Sequence, residues 1–189
     1  MSKILNRKFF KKDTLLVARS LLGKVLCRKI GKKIIRAIIT EVEAYDGPKD
    51  KASHAARGET PRNALMFGEA GRFYVYFTYG MHWILNIVTG KRGYPAAVLI
   101  RGVKLINSKS EILNLKQNKL RLNGPAKLTK FLKIDKKLNG KLASRKTGLW
   151  IEDLGLVIRK SQIAKSSRIS VHYAGPVWSK KHYRFFIEQ

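Results

Sequence analysis

The sequence has very few of the side chains that build disulfides and metal sites. Its 189 residues include one cysteine, Cys27, and four histidines. A single thiol excludes a disulfide within the chain and any zinc site made from several cysteines. The histidines show no HxxxH motif and no spacing that pairs them with Cys27, so we expect neither a structural zinc ion nor another bound metal.

Long hydrophobic segments are also missing. Every apolar run is well short of the ~18 residues that a membrane-spanning helix needs. The N-terminal sequence MSKILNRKFFKKD is basic but lacks the continuous apolar stretch of a secretory signal. We therefore expect a soluble intracellular protein without a membrane partner, in the cytoplasm or nucleoid of a bacterium or in the nucleus of a eukaryote.

Acidic residues are scarce. The chain has 12 Asp and Glu against 40 Lys and Arg, which gives a formal net charge of +28. A charge of this size favours a polyanionic partner, because cations neutralise phosphates and release their counterions. Nucleic acid is the first candidate, an anionic membrane surface is the second, and a solvated lysine-rich surface without a partner is the third.

No feature of the sequence divides the chain into parts. With 44% hydrophobic residues, 189 residues are enough to bury one sizeable core. There is no internal repeat, low-complexity segment or linker. The simplest prediction is one α+β domain over residues 1–189.

The few acidic residues are concentrated between Thr40 and Gly90. Six of them lie in this window: Glu41, Glu43, Asp46, Asp50, Glu59 and Glu69. Carboxylates beside a bound polyanion are repelled by it, so their position needs a reason. One reason is local, in caps, turns and ion pairs with neighbouring lysines and arginines. The other is chemistry at a nucleic-acid site, where a carboxylate activates water.

Most of these carboxylates lie within a predicted strand or just after it. Ile34–Tyr45 is β-prone and predicts a hairpin with Val25–Ile30 across the turn Gly31-Lys32-Lys33. Strict alternation assigns one face of this strand to six residues, which are Ile35, Ala37, Ile39, Glu41, Glu43 and Tyr45. A strand that becomes acidic towards its end is expected to leave the core for a cleft.

A second hairpin is predicted from Arg72–Thr78 and His82–Val88, with Tyr79-Gly80 as the turn. Tyr79 would lie at the tip, where an aromatic side chain has no core to enter. On a basic protein, an exposed aromatic residue at such a tip suits a wedge between DNA bases.

The remaining predicted elements are short. An amphipathic helix begins after the N-cap Asp13 and ends at Gly23. The other predicted strands are Ala96–Arg101, Leu149–Arg159, Arg168–Tyr173 and Tyr183–Glu188, and the other predicted helices are Ser108–Leu120 and Pro125–Leu132. Residues 137–147 are predicted to form a polar, mobile loop.

Several short motifs occur together in one order along the chain. They are TEVEAY (40–45), Ser53-His54, TPRN (60–63), YVYFTYGM (74–81), VLIR (98–101), NGPAKL (123–128), RISV (168–171) and RFFI (184–187). In this combination the chain resembles the alkyladenine (3-methyladenine, or methylpurine) DNA glycosylases over nearly its whole length. The resemblance implies a single mixed α/β domain. It has a curved, largely antiparallel sheet, flanking short helices and a β-hairpin that enters the DNA minor groove.

The implied activity is hydrolysis of the N-glycosidic bond of a damaged purine in double-stranded DNA. The substrates implied are of the 3-methyladenine, 7-methylguanine and hypoxanthine class, and the product is an abasic site in an intact strand. No metal and no other cofactor is implied, and we expect a monomer. Such an enzyme flips the nucleotide out of the duplex, because the base edge and C1′ are inaccessible within the stack.

The resemblance assigns the catalytic positions. Glu43 matches the general base that activates the water attacking C1′. Arg101 matches the arginine that helps to hold this water and the carboxylate. Ile169 lies where the family uses a main-chain group near the water. Glu41, on the same face as Glu43, is expected to pair with an arginine or lysine.

The resemblance also assigns the base pocket. Tyr45, His54 and Tyr76 match the residues that stack on the flipped base or contact its edge. Asn86 matches an asparagine that disfavours guanine by a clash with the exocyclic amino group. An aromatic pocket suits a methylated purine, because such a base is a flat cation.

Other matched positions contact the DNA outside the pocket. Tyr79 matches the intercalating tyrosine, in agreement with its predicted place at the hairpin tip. Phosphate contacts are implied for Arg62, Lys127 and Lys136. Tyr74 and Phe77 are expected to serve only the packing of the hairpin.

Two alternatives remain open at this point. A non-catalytic nucleic-acid-binding protein on the same fold would bind polyanions without releasing a base. A bifunctional glycosylase/lyase would use an amine nucleophile, and the chain has many lysines that supply one.

Overall fold

The computed structural model describes residues 2–106 and 121–188. The strands are β1 (Lys3–Ile4), β2 (Val25–Ile30), β3 (Lys33–Asp46), β4 (Phe73–Thr78), β5 (His82–Val88), β6 (Ala96–Ile106), β7 (Arg121–Asn123), β8 (Leu149–Asp153), β9 (Ile163–Ser166) and β10 (Arg184–Ile187). The α-helices are α1 (Arg7–Phe10), α2 (Thr14–Leu21), α3 (Pro125–Phe131) and α4 (Gly175–Trp178). Short 3-10 helices cover His54–Arg57, Ala64–Phe67, Lys136–Leu138, Arg145–Thr147, Lys160–Gln162 and His172–Ala174. The predicted helix Ser108–Leu120 lies outside the described residues.

All described strands belong to one antiparallel sheet. Its main path is β1-β8-β2-β3-β6-β5-β4, while β10 pairs with β3 and β9, and β7 pairs with β6. The long strand β3 pairs with three others, β2, β6 and β10. The prediction of a mixed α/β fold with a largely antiparallel sheet and short helices is confirmed.

Helix α2 covers one face of the sheet and closes the main core. It begins at Thr14 because the Asp13 side chain caps it, accepting a hydrogen bond from the Leu16 N–H at 2.9 Å. It ends before Gly23, whose φ of +80° suits glycine. Its buried residues include Val17, Ala18 and Leu21, which belong to the main hydrophobic cluster with residues of β3. This predicted helix is confirmed.

The strict alternation predicted for β3 is wrong in the middle of the strand. Between β3 and β6 the pairing skips Thr40 on one strand and Arg101 on the other. The Cα partners around this point are Ile39 with Val103, Glu41 with Gly102, and Val42 with Ile100. Each strand therefore carries one extra residue, and an irregularity of this kind moves the following side chains to the other face of the sheet.

The irregularity separates the carboxylates from the core. Val42 and Ala44 lie in the same hydrophobic cluster as Ala37 and Ile39, although two-residue periodicity puts the two pairs on opposite faces. The polar end of β3 consequently lies on the face opposite the main core, with Glu41, Glu43 and Tyr45 projecting from it.

The hairpin of β4 and β5 has the predicted turn. Tyr79 and Gly80 both have positive φ, +50° and +64°, as the primed turns of tight hairpins require. The Met81 N–H donates to the Thr78 carbonyl at 3.1 Å and closes the turn. Tyr79 is 79% exposed at the tip, so its predicted position is confirmed.

The predicted strand Arg168–Tyr173 is wrong. The strand in this region is β9, Ile163–Ser166, and the residues after it form a turn and a 3-10 helix. The reason is that the main chain at Ile169 has a side-chain partner instead of a strand partner. Its N–H donates to a carboxylate oxygen of Glu43 at 2.8 Å.

Two further predictions for the second half of the chain need correction. The strand predicted as Leu149–Arg159 ends at Asp153, because the Asp153 side chain accepts from the Gly155 N–H at 2.9 Å and starts a turn. Residues 137–147 are packed instead of forming a free polar loop. Leu138 and Ala143 belong to the main core, and the Asn139 side chain accepts from the Val75 N–H at 2.9 Å.

Over the described residues, no helix has the length and apolar composition needed to cross a bilayer.

Candidate active site

One row of the sheet brings together residues that are far apart in the sequence. Asn86, Leu99, Glu43 and Arg184 are successive Cα partners on β5, β6, β3 and β10. Partners in adjacent antiparallel strands lie about 5 Å apart and project from the same face. In this row Glu43 of β3 lies between β6 and β10, with Asn86 of β5 on the β6 side and Arg184 on β10.

Glu43 is a fully buried carboxylate with three kinds of partner. Its Oε1 accepts the Ile169 N–H at 2.8 Å, and its Oε2 accepts the Tyr45 hydroxyl at 3.0 Å. The guanidinium of Arg101 lies 3.5 Å from each carboxylate oxygen, through Nε and Nη1 respectively. The side chain has 0% exposure, so the group that the sequence resemblance assigned as base is shielded from bulk water.

The surroundings of Glu43 act on its pKa in both directions. Burial raises the pKa of the Glu43 carboxyl above its ordinary value. Four groups oppose this effect: Arg101, the Ile169 N–H, the Tyr45 hydroxyl and Arg168. The result is a carboxylate with a higher proton affinity than an exposed glutamate, which favours general-base catalysis near neutral pH.

Glu41 lies beside this site and is paired, as predicted. Its Oε1 accepts from Nε of Arg101 at 3.1 Å and from Nε of Arg184 at 2.7 Å. The ion-pair partners of Glu41 and Glu43 are thus arginines that are distant in the sequence. Within the described residues, these two carboxylates do not form the local ion pairs that the sequence analysis considered.

A second buried ion pair, between Arg168 and Asp50, stabilises the segment that contacts Glu43. Arg168 donates to both carboxylate oxygens of Asp50, with Nη2 to Oδ1 at 2.8 Å, and to the Ala44 carbonyl at 2.9 Å. Both side chains have 0% exposure. Because Ile169 follows Arg168, this pair fixes the main-chain N–H that binds Glu43. The sequence indicated only a capping role for Asp50, which it also has towards the Ala52 N–H at 3.1 Å.

An aromatic pocket opens beside Glu43. It is lined by Tyr45, Ala52, His54, Met66, Tyr74, Tyr76, Asn86, Ala97 and Tyr173. Nδ1 of His54 lies 3.1 Å from the Tyr74 hydroxyl, and the His54 and Tyr76 rings meet edge to face with centroids 4.7 Å apart. All four residues that the resemblance assigned to the base pocket line this cavity.

Tyr74 and Tyr173 are pocket residues that the sequence analysis missed. Tyr74 packs in the hairpin as expected, but its hydroxyl also contacts His54. The signal was available, because Tyr74 and Tyr76 are two residues apart and share a face of β4. Tyr173 donates to the Ala52 carbonyl at 2.8 Å, and no local pattern indicated this contact across the fold.

Asn86 forms part of the pocket wall beside Tyr74, its Cα partner in the pairing of β4 with β5. It is buried, and its Nδ2 donates to the Tyr74 carbonyl at 3.1 Å. This bond fixes the orientation of the amide, so Asn86 presents a defined polar edge to whatever fills the pocket.

A larger cleft leads from the pocket to the hairpin tip. It shares Tyr45, His54, Tyr76 and Tyr173 with the pocket. Its cationic lining residues are Lys51, Arg57, Arg62 and Arg101, and Tyr79 lies at its edge. The cleft therefore joins the aromatic pocket to a basic surface.

Of the three residues predicted to contact phosphate, Arg62 lines this cleft, and Lys127 and Lys136 are exposed on other elements. Arg62 donates to the Phe77 carbonyl at 3.1 Å and lies 5.2 Å from the Tyr76 ring centroid. Lys127 is exposed on α3, whose first residue Pro125 lines the cleft. Lys136 is exposed in the 3-10 helix that packs against β4. Their phosphate contacts stay predictions.

Within residues 2–106 and 121–188, no group of three or more histidine, cysteine or carboxylate side chains is arranged to bind a metal ion.

Comparison with known proteins gives one consistent result. A sequence model of the methylpurine-DNA glycosylase family matches residues 8–189. A protein of Sodalis glossinidius is 54% identical over 136 residues, which are 72% of this chain and 72% of the relative. One from Methanocella arvoryzae is 44% identical over 91% of this chain and 86% of its own length. One from Rickettsia felis is 44% identical over 89% and 86%. All three carry the name "Putative 3-methyladenine DNA glycosylase".

Proposed function

The chain belongs to the methylpurine-DNA glycosylase family, and on this basis we propose that it excises alkylated or deaminated purines from double-stranded DNA. The substrate class is 3-methyladenine, 7-methylguanine and hypoxanthine, and the product is an abasic site in an unbroken strand. The observation that carries the proposal is the buried Glu43 carboxylate. It accepts from Tyr45, which lines both the aromatic pocket and the basic cleft, and it contacts Ile169 and Arg101, which line the cleft.

In the proposed reaction, Glu43 takes a proton from a water molecule as the water oxygen bonds to C1′ of the flipped nucleotide. The bond from C1′ to the purine nitrogen breaks, and its electron pair leaves with the base. The sugar gains oxocarbenium character in the transition state, and a nearby carboxylate stabilises this positive charge. Arg101, Tyr45 and the Ile169 N–H keep the Glu43 carboxylate in one orientation.

The pocket supports the proposed choice of base. A purine methylated at a ring nitrogen is cationic, and tyrosine faces attract a flat cation. Burial raises the pKa of the Tyr74 hydroxyl to about 12, so this phenol stays neutral and does not place a charge in the pocket. A neutral lesion such as hypoxanthine additionally needs protonation to leave. Asn86 supplies a fixed amide against which the 2-amino group of guanine would clash. 7-Methylguanine carries the same group, and its cationic base, a better leaving group than guanine, offsets the poorer fit.

The cleft and hairpin support the proposed binding of duplex DNA by a monomer. Tyr79 is positioned to fill the space left by a flipped nucleotide, and the basic residues along the cleft suit the phosphates on either side. We assign these phosphate contacts to Arg62, Lys127 and Lys136.

Product analysis tests the proposed function directly. Incubation with methylated duplex DNA should release free 3-methyladenine and 7-methylguanine, and the DNA should break only after alkali converts the abasic sites. Binding of the DNA without any released base would instead show a non-catalytic binding protein. Covalent trapping of DNA by borohydride would reveal a Schiff base, and hence the bifunctional glycosylase/lyase.

Replacing Tyr79 with alanine is expected to impair excision from duplex DNA without unfolding the protein. The Tyr79 side chain is exposed at the hairpin tip and contributes little to the core. Without a side chain to fill the vacated space in the duplex, the flipped nucleotide returns to the base stack. The measurement compares the single-turnover rate on a hypoxanthine duplex with that on the same strand unpaired. Tyr79→Phe is the matched control, since it keeps the aromatic ring. An unchanged rate of Tyr79→Ala on duplex DNA would show that the wedge assignment is wrong.

Replacing Arg101 with methionine is expected to move the acidic limb of the pH–rate profile to higher pH. Glu43 must be ionised to act as base, so the rate falls as pH decreases through its pKa. Burial already raises that pKa and Arg101 opposes the rise, so loss of the cation raises it further. The profile should be measured with 7-methylguanine, whose cationic leaving group needs no added proton. A limb that stays in place, or moves to lower pH, would contradict this role of Arg101.

A further inference from the structure

We infer that Glu41 is a positioning residue for the reaction: together with Arg184 it holds Arg101 away from Glu43, so that the base remains free to accept a proton from water. This inference rests on the proposed function, because it assigns Glu43 the role of base. It concerns a carboxylate for which the sequence analysis predicted no role beyond an ion pair.

The distances show which carboxylate binds Arg101 more closely. Nε of Arg101 lies 3.1 Å from Oε1 of Glu41, within the range of an N–H···O hydrogen bond. The nearest approaches of the same guanidinium to Glu43 are 3.5 Å, at the outer limit of such a bond. Arg101 therefore makes its shorter hydrogen bond to Glu41 and only a long, weak one to Glu43.

Glu41 is itself firmly anchored. Nε of Arg184 donates to the same Oε1 at 2.7 Å, the length of a charge-assisted bond. Arg184 also donates to the Ser166 hydroxyl at 3.2 Å and lies 4.9 Å from the Phe186 ring centroid. One carboxylate oxygen thus joins a fixed arginine on β10 to the arginine of the site.

The backbone is built to bring Glu41 to this place. The pairing of β3 and β6 is irregular at Thr40, the residue before Glu41, and at Arg101 itself. Gly102 lies opposite Glu41, and a Cβ added to Gly102 would stand 3.1 Å from the Glu41 Cβ and 3.2 Å from the Thr40 hydroxyl. Bulges beside active sites commonly redirect a side chain, and here the redirected pair is Glu41 and Arg101.

The consequence follows from competition for one cation. Without Glu41, the neighbouring carboxylate available to Arg101 is that of Glu43, in a buried site where an ion pair is strong. A short, hydrogen-bonded ion pair between Arg101 and Glu43 would lower the proton affinity of the Glu43 carboxylate. It would also occupy the space next to the carboxylate oxygens. Glu41 therefore keeps Arg101 close enough to hold the ionised base and too far away to block it.

Other groups also face Glu43 and belong to the electrostatic balance. They are Tyr45 on its own strand, Tyr76 on β4, Arg184 on β10, Arg168 in the segment after β9, and Tyr173 in the following 3-10 helix. Arg101 differs from these groups because its guanidinium contacts both carboxylates, Glu41 at 3.1 Å and Glu43 at 3.5 Å, so the experiment isolates it.

The test uses Glu41→Gln with two independent readouts. The first is the titration midpoint of the Glu43 carboxyl, which is measured by carbon NMR on the protein without DNA. This measurement does not depend on enzymatic activity. We expect the midpoint to fall by about one unit, as when an opposite charge approaches a carboxylate. The second is the single-turnover release of 7-methylguanine, which should fall by up to about 10²-fold on the plateau, with its acidic limb at lower pH. The Arg101→Met variant is expected to move the limb in the opposite direction.

A double variant separates this mechanism from simple loss of a neighbouring negative charge. If Glu41 acts through Arg101, adding Glu41→Gln to Arg101→Met should leave the Glu43 midpoint where Arg101→Met puts it. A shift of the same size in both backgrounds would overturn the inference. So would a Glu41→Gln midpoint that is unchanged or raised.

Gly102→Ala provides a variant that changes no charge. The added methyl should displace Glu41 and lower the Glu43 midpoint in the wild-type background, but not in Glu41→Gln. An equal shift in both backgrounds would count against the positioning role. If the wild type releases no base, the proposed function fails, whereas the NMR midpoints still decide whether Glu41 controls the contact between Arg101 and Glu43.

Discussion

Replacing Glu43 with glutamine is expected to reduce the rate of base release by about 10²–10⁴-fold, the usual contribution of a general base. The amide cannot accept the proton of the attacking water. It has nearly the same shape as the carboxylate, and it can direct its oxygen to the Ile169 N–H and Arg101 and its NH₂ group to the Tyr45 hydroxyl. Chemistry should therefore be lost while the pocket and the DNA-binding surface stay intact.

The decisive measurement scores release and binding separately. Base release is followed on methylated and hypoxanthine-containing duplexes under single-turnover conditions, and the affinity for the same duplexes is measured by fluorescence anisotropy. Loss of release with retained affinity supports both the glycosylase proposal and the role of Glu43. A Glu43→Gln variant that remains active would show that another group activates the water. Binding without release by both proteins would show a non-catalytic binding protein.

The same substitution should not destabilise the fold at neutral pH, which provides its control. Burial raises the pKa of Glu43 in the folded state above its value in the unfolded chain. The contribution of this group to stability is therefore fully present below the unfolded pKa and is lost as pH rises through the folded pKa. At pH 7 the ionised carboxylate opposes folding, so Glu43→Gln is expected to unfold at the same or a higher temperature than the wild type. A large drop in Tm would mean that lost activity reflects unfolding.

Replacing Asp50 with asparagine is expected to lower the free energy of unfolding by about 3–5 kcal/mol. The substitution leaves the Arg168 guanidinium buried at 0% exposure without its counterion. The other hydrogen-bond acceptors of Arg168 are the neutral carbonyls of Ala44 and Trp178, and its Nε has no partner within the described part of the chain. Removing one member of a buried pair is costly because the remaining charge cannot regain its hydration.

Urea denaturation measures this effect, with a surface ion pair as the matched control. Glu69 pairs with Arg7 and Arg72 at 2.9 and 3.0 Å, but these side chains are 35–51% exposed. Glu69→Gln should therefore change the free energy of unfolding far less than Asp50→Asn does, because solvent screens an exposed ion pair. A loss of comparable size in Asp50→Asn would show that the buried pair is not structurally important. The double variant Asp50→Leu/Arg168→Met should recover part of the stability, because it leaves no unpaired charge.

The sequence by itself determined the features that depend on near neighbours. The cap at Asp13 and the stop at Gly23 defined α2, because both act within one helical turn. The β-prone runs around Tyr79-Gly80 defined the hairpin and its exposed tip, because turn geometry depends on two or three adjacent residues. The ordered motifs, through the family resemblance, also identified four of the residues that line the pocket, Tyr45, His54, Tyr76 and Asn86.

The tertiary structure alone decided how these residues meet. The side on which Glu43 projects depends on the paired irregularity at Thr40 and Arg101, and the register of one strand is set by its partner as well as by its own pattern. Arg168 was assigned to a strand because no neighbouring residue in the sequence indicates that it forms a buried ion pair with Asp50. The division of Arg101 between Glu41 and Glu43 is a matter of a few tenths of an ångström. Periodicity along a chain carries no information about distances between strands, so these contacts became visible only when the sheet was assembled.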